Sequence, residues 1–300
     1  MADKAHILTD EKLEKMERHL SAIYRRAEKE VGQTWKAYMA ESGEEIKDLQ
    51  EAYDLAKKSG DRDEIKKAGI KLSKAKRERT IKDKHYKALT ESLAREISHV
   101  NETAVAYIND QLPEVYALNY NALKESVDGV GEYVFELVDA DTVKHLALAD
   151  KSLLPYKKLD LRKDIPWNMK KINSEVLQGI IQGESMDKIA NRIGRVQQMN
   201  ANASIRTART IVTGAENKGR LDSYIRADKD GIILQKKWMA TNDNRVRHWH
   251  AELDGQIRDI DEPFENAVGK IMFPASPDAD AENVYNCRCT MVAVVKGFKK

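Results

Sequence analysis

The chain of 300 residues has two cysteines, Cys287 and Cys289, with a single arginine, Arg288, between them. On an extended segment side chains alternate, so both sulfurs would point to one face. Thiolates and imidazoles are good zinc ligands, and His250 with the two cysteines supplies three. His248 or Asp243 is a candidate fourth. If residues 245 to 250 are helical, His248 and His250 diverge and only one can bind that ion. A second reading competes with it: two buried cysteines acting as small hydrophobes, with His250 hydrogen-bonded beside them. A full zinc signature carries two paired ligand motifs, and here there is one. A disulfide across so short a spacing would be strained, which fits a reducing cytoplasm or a particle assembled in one.

The same residues bear on enzyme chemistry. His250-Ala-Glu252 reads as the His-x-Glu of a zinc deaminase, but that site also needs Pro-Cys-x-x-Cys. The chain offers Asn286-Cys-Arg-Cys289 instead. A metal-dependent nuclease could draw on His248, His250, Asp243 and Asn286, yet the several carboxylates that hold a hard metal are missing. Gly129-Val-Gly131 lacks the third glycine of a dinucleotide loop, and no Gly-Lys-Ser/Thr follows to cradle phosphate. No serine elbow, HExxH or papain-like context occurs. A delivered toxin would need a further domain. The expectation is a protein that is not an enzyme, with a metal-dependent nucleic-acid-processing enzyme as the alternative.

These residues sit among short strand candidates: Ile232–Met239, Gln256–Arg258, Lys270–Phe273 and Thr290–Val295. Turn formers separate them, as in a small antiparallel sheet with a short helix. The rest of the chain reads as helix. Leu13, Met16, Leu20, Ile23, Ala27 and Val31 form one apolar stripe, with breaks expected at Gly32 and Ser42-Gly43. Lys58-Ser-Gly-Asp-Arg-Asp63 reads as a turn with Asp61 or Asp63 as a cap, which predicts a helical hairpin. Pro113 predicts a helix boundary, and Tyr133–Val138 a short strand. The stretch from Leu153 to Trp167 reads as a connector. Ser185 should cap a helix that ends at Gly194, completing a helix-turn-helix whose Ile189 and Ile193 pack inward. A longer helix follows from Ala203 to about Arg226.

Composition agrees: 33% charged residues and 6% aromatics suit solvated helices carrying narrow apolar stripes. The formal charge is only +2, so any attraction to DNA must be local. The basic run from Lys57 to Lys87 is the place for it, with Lys66, Lys67, Lys74 and Arg77 as candidate contacts. A solvated helix face is the competing reading. No apolar run approaches the roughly twenty residues that span a bilayer, and Met1-Ala-Asp-Lys-Ala-His lacks a signal-peptide core. An intracellular product is expected. The fold class is a mainly α N-terminal region with long helices and a helical hairpin, followed by a small C-terminal α+β domain. The expected division is 1–128 helical, 129–170 connector with short strands, and 171–298 the C-terminal domain (helices 171–230, α+β unit 231–298).

The run Trp238 to Gly255, with Asp243, Arg245, Arg247, His250 and Leu253, then Pro263-Phe264, Pro274 and Asn286-Cys287-Arg288-Cys289, resembles the phage Mu F-like head morphogenesis family. The family pattern is Trp, Asp-x-Arg-x-Arg-x-x-His-x-x-Leu-x-Gly, prolines, and Asn-Cys-Arg-Cys; His248 is an extra histidine. Arg206-Thr-Ala-Arg209-Thr210 and Asn217-Lys-Gly-Arg220 are similar to the family's preceding helix. The chain has Ile211 where the family usually carries Glu. The resemblance covers roughly residues 170 to 295. It implies a low-copy minor capsid protein inside the phage head that joins during procapsid assembly. It further implies a place near the portal, contacts with portal, capsid or scaffold proteins and with phage DNA, and a hand in packaging or ejection. A structural zinc is the one cofactor the residues suggest. The arginines would serve mainly to pair with Asp243, Asp254 or Glu252.

Overall fold

A computed structural model describes residues 3–41, 44–82, 84–127, 137–150, 153–241 and 243–299; the side chains of 39–46, 76–85 and 186 also lie outside that description. The expected strand at Tyr133–Val138 falls mostly outside it, and Gly129-Val-Gly131 wholly so. The elements are α1 (Lys4–Glu41), α2 (Glu44–Ser59), α3 (Arg62–Lys82), α4 (Lys84–Tyr120), α5 (Leu123–Val127), α6 (Ala140–Ala149), α7 (Leu161–Ile181) and α8 (Met186–Lys229). They continue as β1 (Ile232–Met239), α9 (His248–Ala251), β2 (Ile257–Asp259), β3 (Phe264–Glu265), β4 (Lys270–Ile271), α10 (Ala281–Val284) and β5 (Thr290–Phe298). Long helices followed by a small α+β region are the fold class that the sequence predicts. No helix among the described residues is long and apolar enough to cross a membrane.

Several local breakers do not break. Helix α1 runs through Gly32, because a mid-helix glycine costs only about 1 kcal/mol and Val31 and Trp35 on either side are fully buried. Helix α4 runs through Pro113. The roughly 3 kcal/mol a proline costs is offset by its neighbours Leu112, Val115 and Tyr116, all buried, at about 1.5–3 kcal/mol each. Helix α8 passes Gly194 without ending and runs for 44 residues. The expected connector up to Trp167 ends earlier: Asp160 caps α7 by accepting from the Arg162 amide, and Pro166 lies inside that helix. On the α1 stripe, Ile23 is half-buried and Tyr24 takes the inward position.

The chain divides into two compact units, each built from separated segments. One comprises Leu20–Ala104 and Leu159–Asn202. Its core joins Val31, Trp35, Leu93, Ile97, Ile172, Val176, Ile189 and Ile193. Ile189 and Ile193 pack inward as expected. Asp61 caps α3, its carboxylate accepting from the Asp63 amide at 2.8 Å. Between α7 and α8 the chain turns at Gly183, whose φ is +66°. Arg192 pins that turn through Glu184 and Gln182.

The other unit comprises Met1–His19, Val105–Lys158 and Ala203–Lys300. Its sheet has the order β2-β1-β5, all antiparallel, with Trp238 opposite Met291 and Met239 opposite Thr290. Strand β1 alternates, turning Ile232, Leu234, Lys236 and Trp238 inward. Beside it β3 pairs with β4, Phe264 opposite Ile271. The core gathers Leu221, Tyr224, Leu234, Trp238, Leu253, Phe264, Cys287, Cys289 and Met291. Lys236 is buried at the inner face of this sheet. Its ammonium donates to the carbonyls of Ile260 and Met272 at 3.1 and 2.9 Å.

Candidate functional site

The motif residues are brought together by helix α8, which carries a polar stripe where the stretch that leads into β5 crosses it. Thr210 Oγ1 accepts from the Asn286 amide at 2.8 Å. Three residues on, Thr213 donates to the Cys287 carbonyl at 2.9 Å. Asn217 then donates to the Cys289 carbonyl at 3.3 Å and accepts from the Met291 amide at 3.0 Å. Arg220 reaches the Met291 carbonyl at 3.2 Å. Helix positions 213, 217 and 220 thus meet extended positions 287, 289 and 291. The match is physical: three or four residues of helix rise about 4.5–6 Å, close to the advance of two extended residues. Buried backbone groups need partners, and here helix side chains supply them.

Asn286 opens the extended stretch at φ +57°, a left-handed conformation that asparagine tolerates better than most residues. Beyond it the side chains alternate. Cys287 and Cys289 are buried, while Arg288 turns the other way. There its guanidinium holds Asp243 through two bonds of 2.6 and 2.9 Å. That fork keeps the Asp243 carboxyl low, at about 2. Thr241 donates to the Arg288 carbonyl at 2.6 Å. Arg209 forks onto Glu17 at 2.5 and 2.8 Å, and Arg247 donates to the Tyr285 carbonyl. Asp254 accepts from the Ala240 amide at 2.8 Å. Of the acids expected to pair with the motif arginines, Asp243 is taken by the Arg288 guanidinium.

His250 projects from α9 into the core, 2% exposed. Its Nδ1 lies 3.7 Å from the Cys287 sulfur and 3.5 Å from the Cys289 sulfur. The Trp238 indole stands edge-on to the imidazole, ring centres 5.8 Å apart. Leu253 is fully buried behind it, and Gly255, at φ +78°, turns the chain toward β2. The two thiols are shifted in opposite directions. A hydrogen bond to Cys289, together with burial, pushes the Cys287 thiol up. The same bond draws Cys289 down against its own burial, with His250 adding to the effect.

Neither candidate fourth ligand joins this group. His248 is exposed, its ring edge-on to Trp249, because two residues of helix carry it away from the buried face. Asp243 is committed to Arg288. Glu252, the proton shuttle of a deaminase reading, is exposed at the end of α9. A cleft of about 210 Å³ lies over the thiols, lined by Arg209, Arg245, Arg247, Arg288, His250 and Asn286 among others. Lys66, Lys67 and Lys74 are exposed on α3, in the other unit; the Arg77 side chain lies outside the described residues.

Sequence reasoning missed Thr213, Glu216 and the ends of the network at Asp3 and His6. Glu216 accepts from Thr290 at 2.7 Å and from His6 Nδ1 at 2.8 Å. Arg220 forks onto Asp3 and also donates to Asn119 at 3.0 Å. Burial weighs against a charged His6, but the Glu216 carboxylate overrides it and holds the imidazole up at about 9. A signal for α8 was present in its own sequence: Thr210, Thr213, Glu216, Asn217, Arg220 and Ser223 fall at helical spacing on one face.

Residues 170–292 match the family model described as Phage Mu protein F like protein. Over 285 residues the chain is 26% identical to the minor head protein of Bacillus phage SPP1, covering 95% of this chain and 87% of that one. Over 172 residues, 56% of this chain, it is 32% identical to an NAD(+)–arginine ADP-ribosyltransferase of Enterococcus faecalis. That match spans 32% of the length of the Enterococcus protein. No solved structure matches. The helix that carries the polar stripe, the histidine and the paired thiols all lie within the segment that is similar to the phage Mu F-like family.

Proposed function

We propose that this chain is a minor head protein of a tailed phage that takes part in head morphogenesis, docks near the portal during procapsid assembly and stays inside the head. One observation carries the reading: the similarity to the SPP1 minor head protein runs along 95% of this chain. The geometry supports it in kind. The motif residues Trp238, Asp243, Arg247, Leu253, Gly255, Asn286 and Arg288 spend their polar and apolar contacts within their own unit. They hold a shaped body together, and among the described residues no acid joins the group that His250 forms with the two thiols. In this reading residues 1–128 dock, 129–170 connect, and 171–298 form the Mu F-like domain. Portal, capsid and scaffold proteins are the partners. The exposed lysines of α3 are the surface for phage DNA, acting in packaging or ejection.

Co-expression of the full chain with its phage's portal and capsid proteins, followed by affinity purification and sedimentation, tests this. A stable complex with the portal is expected. A chain that sediments alone and is absent from purified heads would overturn the proposal. DNA affinity should fall steeply with salt and weaken in a Lys66→Ala, Lys67→Ala, Lys74→Ala variant. The Enterococcus relative raises a second reading, arginine-specific ADP-ribosylation. Incubating the full chain with NAD(+) and an arginine-rich acceptor protein is expected to leave the acceptor unlabelled.

A further inference from the structure

We infer that His250, Cys287 and Cys289 form a zinc site of three protein ligands whose fourth position opens into the arginine-lined cleft. The inference is independent of the head role. The ligand atoms of the three residues all lie within 4.8 Å of one another, and all three residues are buried. Around a tetrahedral zinc with bonds of about 2.3 Å to sulfur and 2.0–2.1 Å to nitrogen, a sulfur and a nitrogen ligand stand about 3.6 Å apart. The two sulfur–nitrogen separations here are 3.7 and 3.5 Å. Both sulfur–nitrogen edges of the site therefore already have the length that a shared ion requires.

The supporting elements hold each ligand where it is. Thr213 and Asn217 fix the carbonyls of Cys287 and Cys289 from α8. His250 is set by α9 and by the edge-on Trp238. Its far nitrogen, Nε2, is buried without a hydrogen-bond partner among the described residues, so the polar interactions of the ring seen there fall on the Nδ1 side, where the sulfurs stand. With the ring proton on Nε2, the Nδ1 lone pair is free for a metal. No further His, Cys, Asp or Glu of the described residues completes the group. A solvent oxygen in the cleft takes the fourth place. Binding releases the thiol protons to solvent as the two sulfurs coordinate as thiolates. The ion would tie α9 to the stretch leading into β5, closing a loop between residues 250 and 289.

The test uses the full chain. Metal content is measured after purification, and the chelator-stripped chain is titrated with Zn(II) and, separately, with Co(II). One zinc per chain is expected. The cobalt form should show tetrahedral visible bands and thiolate-to-cobalt charge transfer in the near ultraviolet. X-ray absorption of the zinc form should give two sulfur neighbours, with nitrogen and oxygen completing four. Cys289→Ser and His250→Ala should each weaken zinc by more than the roughly 10–100-fold that loss of an outer-shell partner costs. His248→Ala, two residues from His250 but exposed, should bind as tightly as the unaltered chain. Because those variants can misfold, the cobalt spectrum of the unaltered chain is decisive by itself. An octahedral spectrum without charge transfer, or zinc lost on dialysis, overturns the site. So does undiminished zinc affinity in either ligand variant.

Discussion

Two glycines on helix α8 should respond in opposite directions to the same substitution. At Gly219 an added Cβ would lie 2.5 Å from the Tyr116 carbonyl oxygen and 3.2 Å from the Tyr120 amide nitrogen. Both atoms are backbone of α4, so nothing can swing aside. Reaching ordinary contact requires the two helices to part by about 0.9 Å, in a region where Tyr116, Ala117 and Leu221 are buried. Overpacking of this kind costs about 1–3 kcal/mol, more when backbone must move, against a gain of about 1 kcal/mol in helix propensity. Gly219→Ala should therefore lose about 1–2 kcal/mol or more. At Gly194 the atoms nearest the corresponding Cβ belong to the Glu28 side chain, a carboxylate oxygen at 2.8 Å and Cγ at 3.1 Å. That carboxylate is the end of a flexible side chain, so Gly194→Ala should be neutral or gain up to about 1 kcal/mol. Thermal melts followed by circular dichroism resolve the difference, since 1 kcal/mol moves the midpoint by roughly 2–4 °C in chains of 150–250 residues. If Gly219→Ala melted at or above the unaltered chain, the close approach of α4 and α8 would be wrong. The polar stripe built on that approach would then lose its support.

Two further predictions concern the network that α8 anchors. His6 titrates near 6.5 when unfolded and at about 9 when folded, so its pairing with Glu216 contributes fully below pH 6.5 and is lost as pH rises through 9. The shift corresponds to about 3 kcal/mol. Urea melts of the unaltered chain should show that extra loss between pH 6 and pH 9.5, while His6→Ala should not; parallel curves would remove the ion pair from the account. Asn217→Ala leaves the Met291 amide and the Cys289 carbonyl without their side-chain partner. At about 1–3 kcal/mol for each buried group stranded, it should destabilise by about 2–6 kcal/mol and speed alkylation of both thiols. Unchanged thiol protection would show that the stretch leading into β5 holds its place without α8.

What the sequence alone could determine was what repeats at short range. Strand β1 was legible in full, because alternation from Ile232 to Met239 is a local pattern. The helices were legible as apolar stripes. So was the pairing of two thiols on one face, because Cys-x-Cys in an extended segment leaves no other arrangement. The resemblance to Mu F-like proteins was legible for a related reason: the Asp-x-Arg, His and Asn-Cys-Arg-Cys spacings lie within short runs. Tertiary structure decided the rest. Pro113, Gly32 and Gly194 read as breakers because their costs are local, while the burial that outweighs them comes from segments far along the chain. The partners of Arg209, Arg220 and Glu216 are Glu17, Asp3 and His6, about two hundred residues away, and residue spacing carries no record of such a distance. His250 and His248 differ by two positions in sequence. Which of them faces the sulfurs was settled only by the orientation of a one-turn helix against the Trp238 ring.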